Sequence, residues 1–289
     1  MEVNIKKSIL SISLAFSVLI SGFGGSAFAE APLRNGQNDS NLTSNVDLLA
    51  SKTLVKRTVT PTAEGEIIRE VHEVPVTLLT PSLASNRVKI TVLSTYQFDF
   101  SKNMYKYSFN LDSPAWINPS VDAVFRVERS DQQYGFYNEV ASLAVNDASY
   151  VWDHVVYVSP NTGHYRTRVD LKPRKLDEII EDPTIYSQSD LINRTGRVWV
   201  FNFVDYTSQK ILNKPPANWA RETRHSRPWD LRGDYKKWYD NAFNTTLNLD
   251  GYDVHHIRPL FLGGDNGMDN LIHLPVSTHS GVTGWFSGY

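Results

Sequence analysis

The chain has 289 residues, 41% hydrophobic and 12% aromatic, enough for one large or two small globular cores and unlike a low-complexity polymer. Its formal net charge of -2 gives no overall electrostatic attraction for nucleic acid. Any basic surface that binds nucleic acid must therefore be a local patch. The chain has no cysteine, which excludes disulfides, lipid-modified cysteine anchors and thiolate-bound zinc.

The first 29 residues have the features of an export signal. Lys6 and Lys7 form a charged start, residues 9–20 form an apolar run, and the Ala-Phe-Ala sequence at 27–29 has the spacing of a cleavage site. The apolar run is short for a transmembrane helix and no second candidate span follows. We therefore expect a secreted, extracellular protein with no stable membrane span once the leader is removed, typical of a Gram-positive bacterium. An uncleaved anchor is the alternative.

Residues 30–60 are rich in Asn, Ser and Thr without a sustained period, which predicts a polar linker or a loosely ordered arm. Residues 61–208 alternate apolar and polar side chains in short runs separated by turn signals. This pattern predicts an antiparallel β-rich domain, either a sandwich or a barrel, and no motif indicates its role. The strand candidates are 71–79, 88–93, 104–111, 123–128, 150–158 and 197–204, and a short helix is expected at 176–180.

After residue 208 the alternation ends, and we place a second domain at 209–289. Apolar and aromatic side chains at helical spacing predict a helix from Leu231 to Phe243, with Asp230 as its N-cap. The chain is thus expected to be α+β, with the β-rich part first.

The segment from Lys210 to Lys237 is basic, because its Lys and Arg residues exceed its Asp and Glu residues by five. Trp219, Trp229 and Trp238 are interleaved with these charges. Basic and aromatic side chains together can bind phosphate and stack on unpaired bases. We expect the charges to contact nucleic acid and the tryptophans to pack in the core.

The last forty residues contain the pattern that indicates a chemistry. It consists of Tyr-Asp-Val-His-His-Ile-Arg-Pro-Leu at 252–260, Gly263-Gly264, Asp269-Asn270 followed by an apolar run, and a later His279. The order and spacing resemble the HNH (ββα-metal) nucleases, including the nuclease domains of DNase colicins. The resemblance covers residues 250–289, and as a motif it requires a β-β-α context.

The resemblance implies a role for several residues. His255 and His279 match metal ligands, and His256 matches the general base that activates water. Asn270 matches the family's central asparagine, which orients the base or constrains the metal loop, while the glycines at 263, 264 and 267 supply bends. A closing helix over 275–286 would present His279.

One departure from the colicin branch affects the metal. That branch places another histidine four residues after His279, where this chain has Thr283. With only two imidazole ligands, the site is expected to bind one Mg²⁺ or Mn²⁺ ion in preference to Zn²⁺. Asp253 is a candidate to support His255 or to bind metal. Arg258 is a candidate phosphate contact, with a solvated arginine at the strand end as the alternative. His273 is expected to be structural.

These observations predict a secreted metal-dependent endonuclease that hydrolyses DNA, in preference to RNA, with little sequence specificity. It would act as a scavenging nuclease or as an antibacterial toxin with a cognate inhibitor protein. By family resemblance, cleavage would leave 5′-phosphate and 3′-hydroxyl ends. The alternative is an envelope-binding β-rich protein with a non-catalytic HNH-like tail.

Overall fold

The computed structural model describes residues 53–62, 65–77, 87–112, 120–148, 153–175, 178–179, 182–223 and 226–289. The expected signal peptide and most of the expected linker lie outside these residues. The described residues all fall within one compact unit, 39–289. Within the described ranges, no helix has the length and apolar character that crossing a membrane requires.

The first part of the described chain consists of antiparallel strands. They are β1 (Leu54–Thr62), β2 (Gly65–Thr77), β3 (Arg87–Asp99), β4 (Met104–Asp112), β5 (Ser120–Ser130), β6 (Asn138–Val145), β7 (His154–Val158), β8 (Gly163–Lys175), β9 (Glu178–Ile179), β10 (Thr184–Tyr186) and β11 (Asp190–Ile192). One sheet has the order β1-β2-β3-β4-β7, and the other has β10-β8-β5-β6 with β9 and β11 also paired to β8. The expectation of an antiparallel β-rich N-terminal part is confirmed.

The two sheets face each other across a common core. Phe109 of β4 stacks on Phe125 of β5 with ring centroids 4.8 Å apart, and Tyr105 meets Tyr165 of β8 edge-on at 5.1 Å. Alternate residues of β4 and β5 point into this core, as the sequence pattern predicts.

Two expectations for this part were wrong. β1 begins at Leu54, inside the stretch expected to be a linker, because residues 54–62 pair with β2. The helix expected at 176–180 is absent at Glu178–Ile179, which form β9 instead. There Lys175 pairs with Glu178 and Arg174 pairs with Ile179, so strand pairing overrides local helix propensity.

The C-terminal part contains a hairpin, two helices and a second strand pair. These elements are β12 (Phe203–Asp205), β13 (Lys210–Leu212), α1 (Leu231–Phe243), β14 (Tyr252–His256), β15 (Leu271–Pro275) and α2 (Val276–Ser287). The expected strand at 197–204 is shorter than predicted: Val198 forms only an isolated bridge with Ile192, and β12 begins at Phe203. Helix α1 has the predicted bounds, and the Asp230 side chain accepts a hydrogen bond from the Gly233 backbone N–H at 3.0 Å.

Contacts continue across the boundary expected at residue 208. Trp199 meets Trp285 of α2 edge-on with ring centroids 4.9 Å apart, and the Asn193 side-chain amide donates to the Trp285 carbonyl at 2.7 Å. Leu191 and Trp199 share a buried cluster with Leu274 and Phe286. The elements that carry the histidine motif are therefore fixed against the β-rich part.

Candidate active site

Strand β14 and helix α2 bring two histidines together. β14 pairs antiparallel with β15, and α2 follows β15 directly and packs on both strands. The ring centroids of His255 on β14 and His279 on α2 are 5.2 Å apart, with an interplanar angle of 75°. The two residues expected to bind metal are thus neighbours.

His255 is buried, with 6% of its surface exposed, and its Nε2 has no hydrogen-bond partner among the described residues. Burial, with smaller contributions from the neighbouring His279, His256 and Arg227, lowers its pKa to about 3. The imidazole is therefore neutral near pH 7. A neutral ring with a free lone pair is the state that a metal ligand requires.

His279 is supported by a carboxylate. Its Nδ1 lies 3.2 Å from Oδ2 of Asp253, and the Asp253 carboxylate also lies 3.6 Å from the Arg232 guanidinium. A hydrogen bond at Nδ1 leaves Nε2 of His279 as the nitrogen that can bind a metal. The sequence offered Asp253 as a support for His255 or as a metal ligand; the structure places its carboxylate beside His279, which α2 carries to it.

The residues present fit a divalent metal with an incomplete protein shell. His255 and His279 supply two imidazoles, and no group of three His, Asp or Glu side chains suited to a metal occurs within the described ranges. Water or substrate oxygens would have to complete the coordination, a condition that Mg²⁺ and Mn²⁺ tolerate. Thr283 is exposed one helical turn after His279.

His256, the next residue of β14, is buried and held by hydrogen bonds. Its Nε2 lies 3.0 Å from Oδ1 of Asn266, whose amide nitrogen donates to the Ser226 carbonyl at 2.9 Å and so fixes the amide orientation. The network thus places the proton of neutral His256 on Nε2 and the lone pair on Nδ1. Nδ1 lies 3.5 Å from a guanidinium nitrogen of Arg227.

Sequence reasoning did not find Asn266, and it counted Arg227 only as part of a basic segment. Asn266 lies in the glycine-rich loop, where Asp-Asn-Gly at 265–267 is an ordinary turn signal. Its role becomes visible only when that loop folds back against His256.

Asn270 constrains the loop between β14 and β15. Its Oδ1 accepts from the Arg258 backbone N–H at 2.8 Å, and its amide donates to the carbonyls of Arg258 and Asp265 at 3.0 and 2.8 Å. Gly263 has φ +82°, and a Cβ at Gly264 would overlap the Arg258 carbonyl oxygen. Of the two roles implied for Asn270, these bonds support the constraint of the loop.

Arg258 and His273 make internal contacts. The Arg258 guanidinium donates to the Leu262 carbonyl at 2.6 Å and lies over the Trp219 ring at 5.4 Å. His273 lies 3.8 Å from the Asp205 carboxylate and 3.2 Å from the Tyr235 hydroxyl. Both residues therefore hold the fold around the site, as expected for His273.

Many of the basic side chains also stabilise the fold. Backbone carbonyls accept hydrogen bonds from Lys210, Lys214, Arg221 and Arg232, and Lys236 pairs with Asp240. Arg227 and Lys237 are exposed. Several of these basic side chains therefore stabilise the fold while their charges remain at the surface.

The three tryptophans of this segment differ. Trp219 stacks on Phe286, and Trp238 meets Phe243 edge-on at 5.6 Å, as expected for core residues. Trp229 is fully exposed, so the expectation that it packs in the core was wrong.

Comparisons of this chain with protein-family models, curated proteins and solved structures found no match.

Proposed function

We propose that the protein is a metal-dependent endonuclease that hydrolyses phosphodiester bonds of DNA. The observation that carries the proposal is the pairing of His255, which has an unpartnered Nε2, with His279, which Asp253 supports through Nδ1. A buried polar atom without a partner is costly, and a metal ion at this position would remove that cost. The β-β-α order of β14, β15 and α2 supports the same assignment.

His256 is the residue that activates water in this proposal. Histidine exchanges protons near neutral pH, and the Asn266 hydrogen bond at Nε2 makes Nδ1 the nitrogen that would accept the proton of a water molecule. The adjacent Arg227, which lies 3.5 Å from His256, would pair with the phosphate under attack. A metal bound by His255 and His279 would stabilise the charge that develops on the phosphate and leaving oxygen.

The biological use follows from the expected export signal. An exported, largely sequence-independent nuclease would act as a scavenging enzyme or as a toxin, and a producing cell would counter a toxin with a cognate inhibitor. The orphaned His255 nitrogen favours a working site over a non-catalytic tail on an envelope-binding protein.

The test is cleavage of supercoiled plasmid DNA, with RNA as a second substrate. The purified protein is assayed with EDTA and then with added Mg²⁺, Mn²⁺ or Zn²⁺. We expect nicking of DNA that EDTA abolishes and that Mg²⁺ or Mn²⁺ restores. Cleavage that is insensitive to EDTA, or no cleavage with any of the three metals, contradicts the proposal.

The His256→Ala variant tests the base. We expect it to lose roughly 10²–10⁴-fold in rate while its metal affinity stays close to that of the wild type. His154→Gln is the matched control, because His154 stacks on Phe125 in the β-rich core. Wild-type cleavage by His256→Ala removes the assignment of the base.

A further inference from the structure

Trp229 leaves a large aromatic ring in water on an ordered part of the chain. Trp219 and Trp238 are partly buried among other rings, whereas Trp229 is fully exposed. Indole has a large apolar surface whose burial is favourable, and in the isolated molecule this surface is in contact with water. Trp229 is therefore available to a ligand.

The segment that carries Trp229 is fixed near both ends. At one end the Ser226 carbonyl accepts a hydrogen bond from Asn266 at 2.9 Å. At the other end Asp230 caps helix α1 through Gly233. Trp229 directly precedes this cap, so its backbone has a defined position next to the site.

This position is close to the proposed base. Arg227 lies 3.5 Å from Nδ1 of His256, and Trp229 follows it by two residues. Two residues span at most about 7 Å. A nucleotide whose phosphate pairs with Arg227 therefore brings its base within reach of the Trp229 ring.

We propose that Trp229 is a stacking platform for an unpaired DNA base beside the scissile phosphate, so that the site prefers single-stranded DNA. This inference rests on the proposed nuclease function and specifies its substrate. Aromatic side chains stack on bases of any sequence because every base has a π-face, which agrees with low sequence specificity. In a duplex both faces of each base are covered by neighbouring bases, and exposing one requires unstacking.

The experiment compares a short single-stranded oligonucleotide with its duplex as substrates. Wild type, Trp229→Ala and Trp229→Phe are assayed for kcat/KM, with Phe136→Ala as the control. Phe136 is also highly exposed, but it lies in the turn between β5 and β6. We expect Trp229→Ala to lower kcat/KM on the single strand by about tenfold and to have little effect on the duplex, since stacking contributes on that order. Trp229→Phe should retain most of the activity, and Phe136→Ala should retain all of it.

Binding of the same oligonucleotides separates this inference from the proposed function. Affinity is measured by fluorescence anisotropy in the His256→Ala background, where cleavage does not interfere. Weaker binding of the single strand by the added Trp229→Ala substitution supports stacking even if no cleavage is found. Equal losses on single strand and duplex, or unchanged affinity for both, overturn the proposal.

Discussion

His279 and Asp253 form a carboxylate–imidazole pair that joins helix α2 to strand β14, with 3.2 Å between Nδ1 and Oδ2. The pair fixes the orientation of the His279 ring and, with it, the direction of Nε2. It also increases the electron density on the imidazole, which strengthens a metal bond. The site therefore depends on a residue that need not touch the metal.

We expect Asp253→Asn to weaken metal binding by about 10–100-fold, because the amide cannot replace the negative charge beside His279. The measurement is calorimetric titration of the metal-free protein with Mn²⁺. Asp250→Asn is the control, since Asp250 is an exposed carboxylate in the turn before β14. An affinity equal to that of the wild type would show that the pair does not act on a metal ligand.

We expect His255→Ala and His279→Ala each to lower metal affinity, and excess metal to restore part of the cleavage activity. Each substitution removes one of the two imidazoles and leaves an underfilled shell that water can complete. Titration of both variants with Mn²⁺ measures the loss, and the rate at rising metal concentration measures the rescue. Unchanged affinity in both would rule out this ligand pair.

The sequence predicted the elements whose signals are local. Helix α1 has its cap, its apolar spacing and its end within residues 230–244, and its bounds agree with the prediction. Strand β8 was missed because charged side chains and Pro173 interrupt its apolar residues. Its strand conformation comes from pairing with β5 over most of its length, which is a tertiary effect.

The candidate site was predictable only where the motif itself contains the residues. His255, His256 and His279 could be named from their order and spacing. The partners of His256 could not be named in this way, since Asn266 and Arg227 come from two separate segments that meet at the His256 ring. Such contacts depend on how loops fold back, and alternation along one strand gives no information about them.

We expect Asn270→Ala to lower the free energy of unfolding by about 2 kcal/mol and to reduce cleavage. The substitution leaves the carbonyls of Arg258 and Asp265 and the Arg258 N–H without the side chain that joins them. Chemical denaturation measures the change. Asn248→Ala is the control, because the Asn248 side chain accepts from a single backbone N–H, that of Asp250. Equal stability losses in the two variants would contradict this role.

Buried His164 predicts a dependence of stability on pH. Burial, with a smaller contribution from Lys214, lowers its pKa from 6.5 to about 4, so the folded chain keeps it neutral to about pH 4. The unfolded chain takes up the proton below about pH 6.5 and thus binds more protons in this window. The free energy of unfolding should therefore fall as the pH drops from 6.5 to 4, by about 3 kcal/mol from this residue.

The His164→Gln variant isolates this contribution. We expect the slope of the unfolding free energy against pH to decrease without vanishing, since His255 and His273 also have lowered pKa values and titrate over the same range in the unfolded chain. Denaturant titrations at several pH values give the slope separately from any overall loss of stability. A slope identical to that of the wild type would show that His164 does not stay neutral in the folded protein.

The last prediction concerns Thr283, which is exposed one turn after His279 on α2. Residues four apart share a helix face, so an imidazole at 283 can reach the same metal as His279. We expect the wild-type protein to be most active with Mg²⁺ or Mn²⁺, and Thr283→His to raise zinc affinity, because zinc prefers a nitrogen-rich tetrahedral shell. Turnover need not increase, since a third protein ligand takes a position otherwise open to water or substrate. Zinc titration and metal-dependent plasmid nicking measure both effects. Activity that is highest with Zn²⁺ in the wild type, together with unchanged zinc affinity in Thr283→His, would place Thr283 away from the metal.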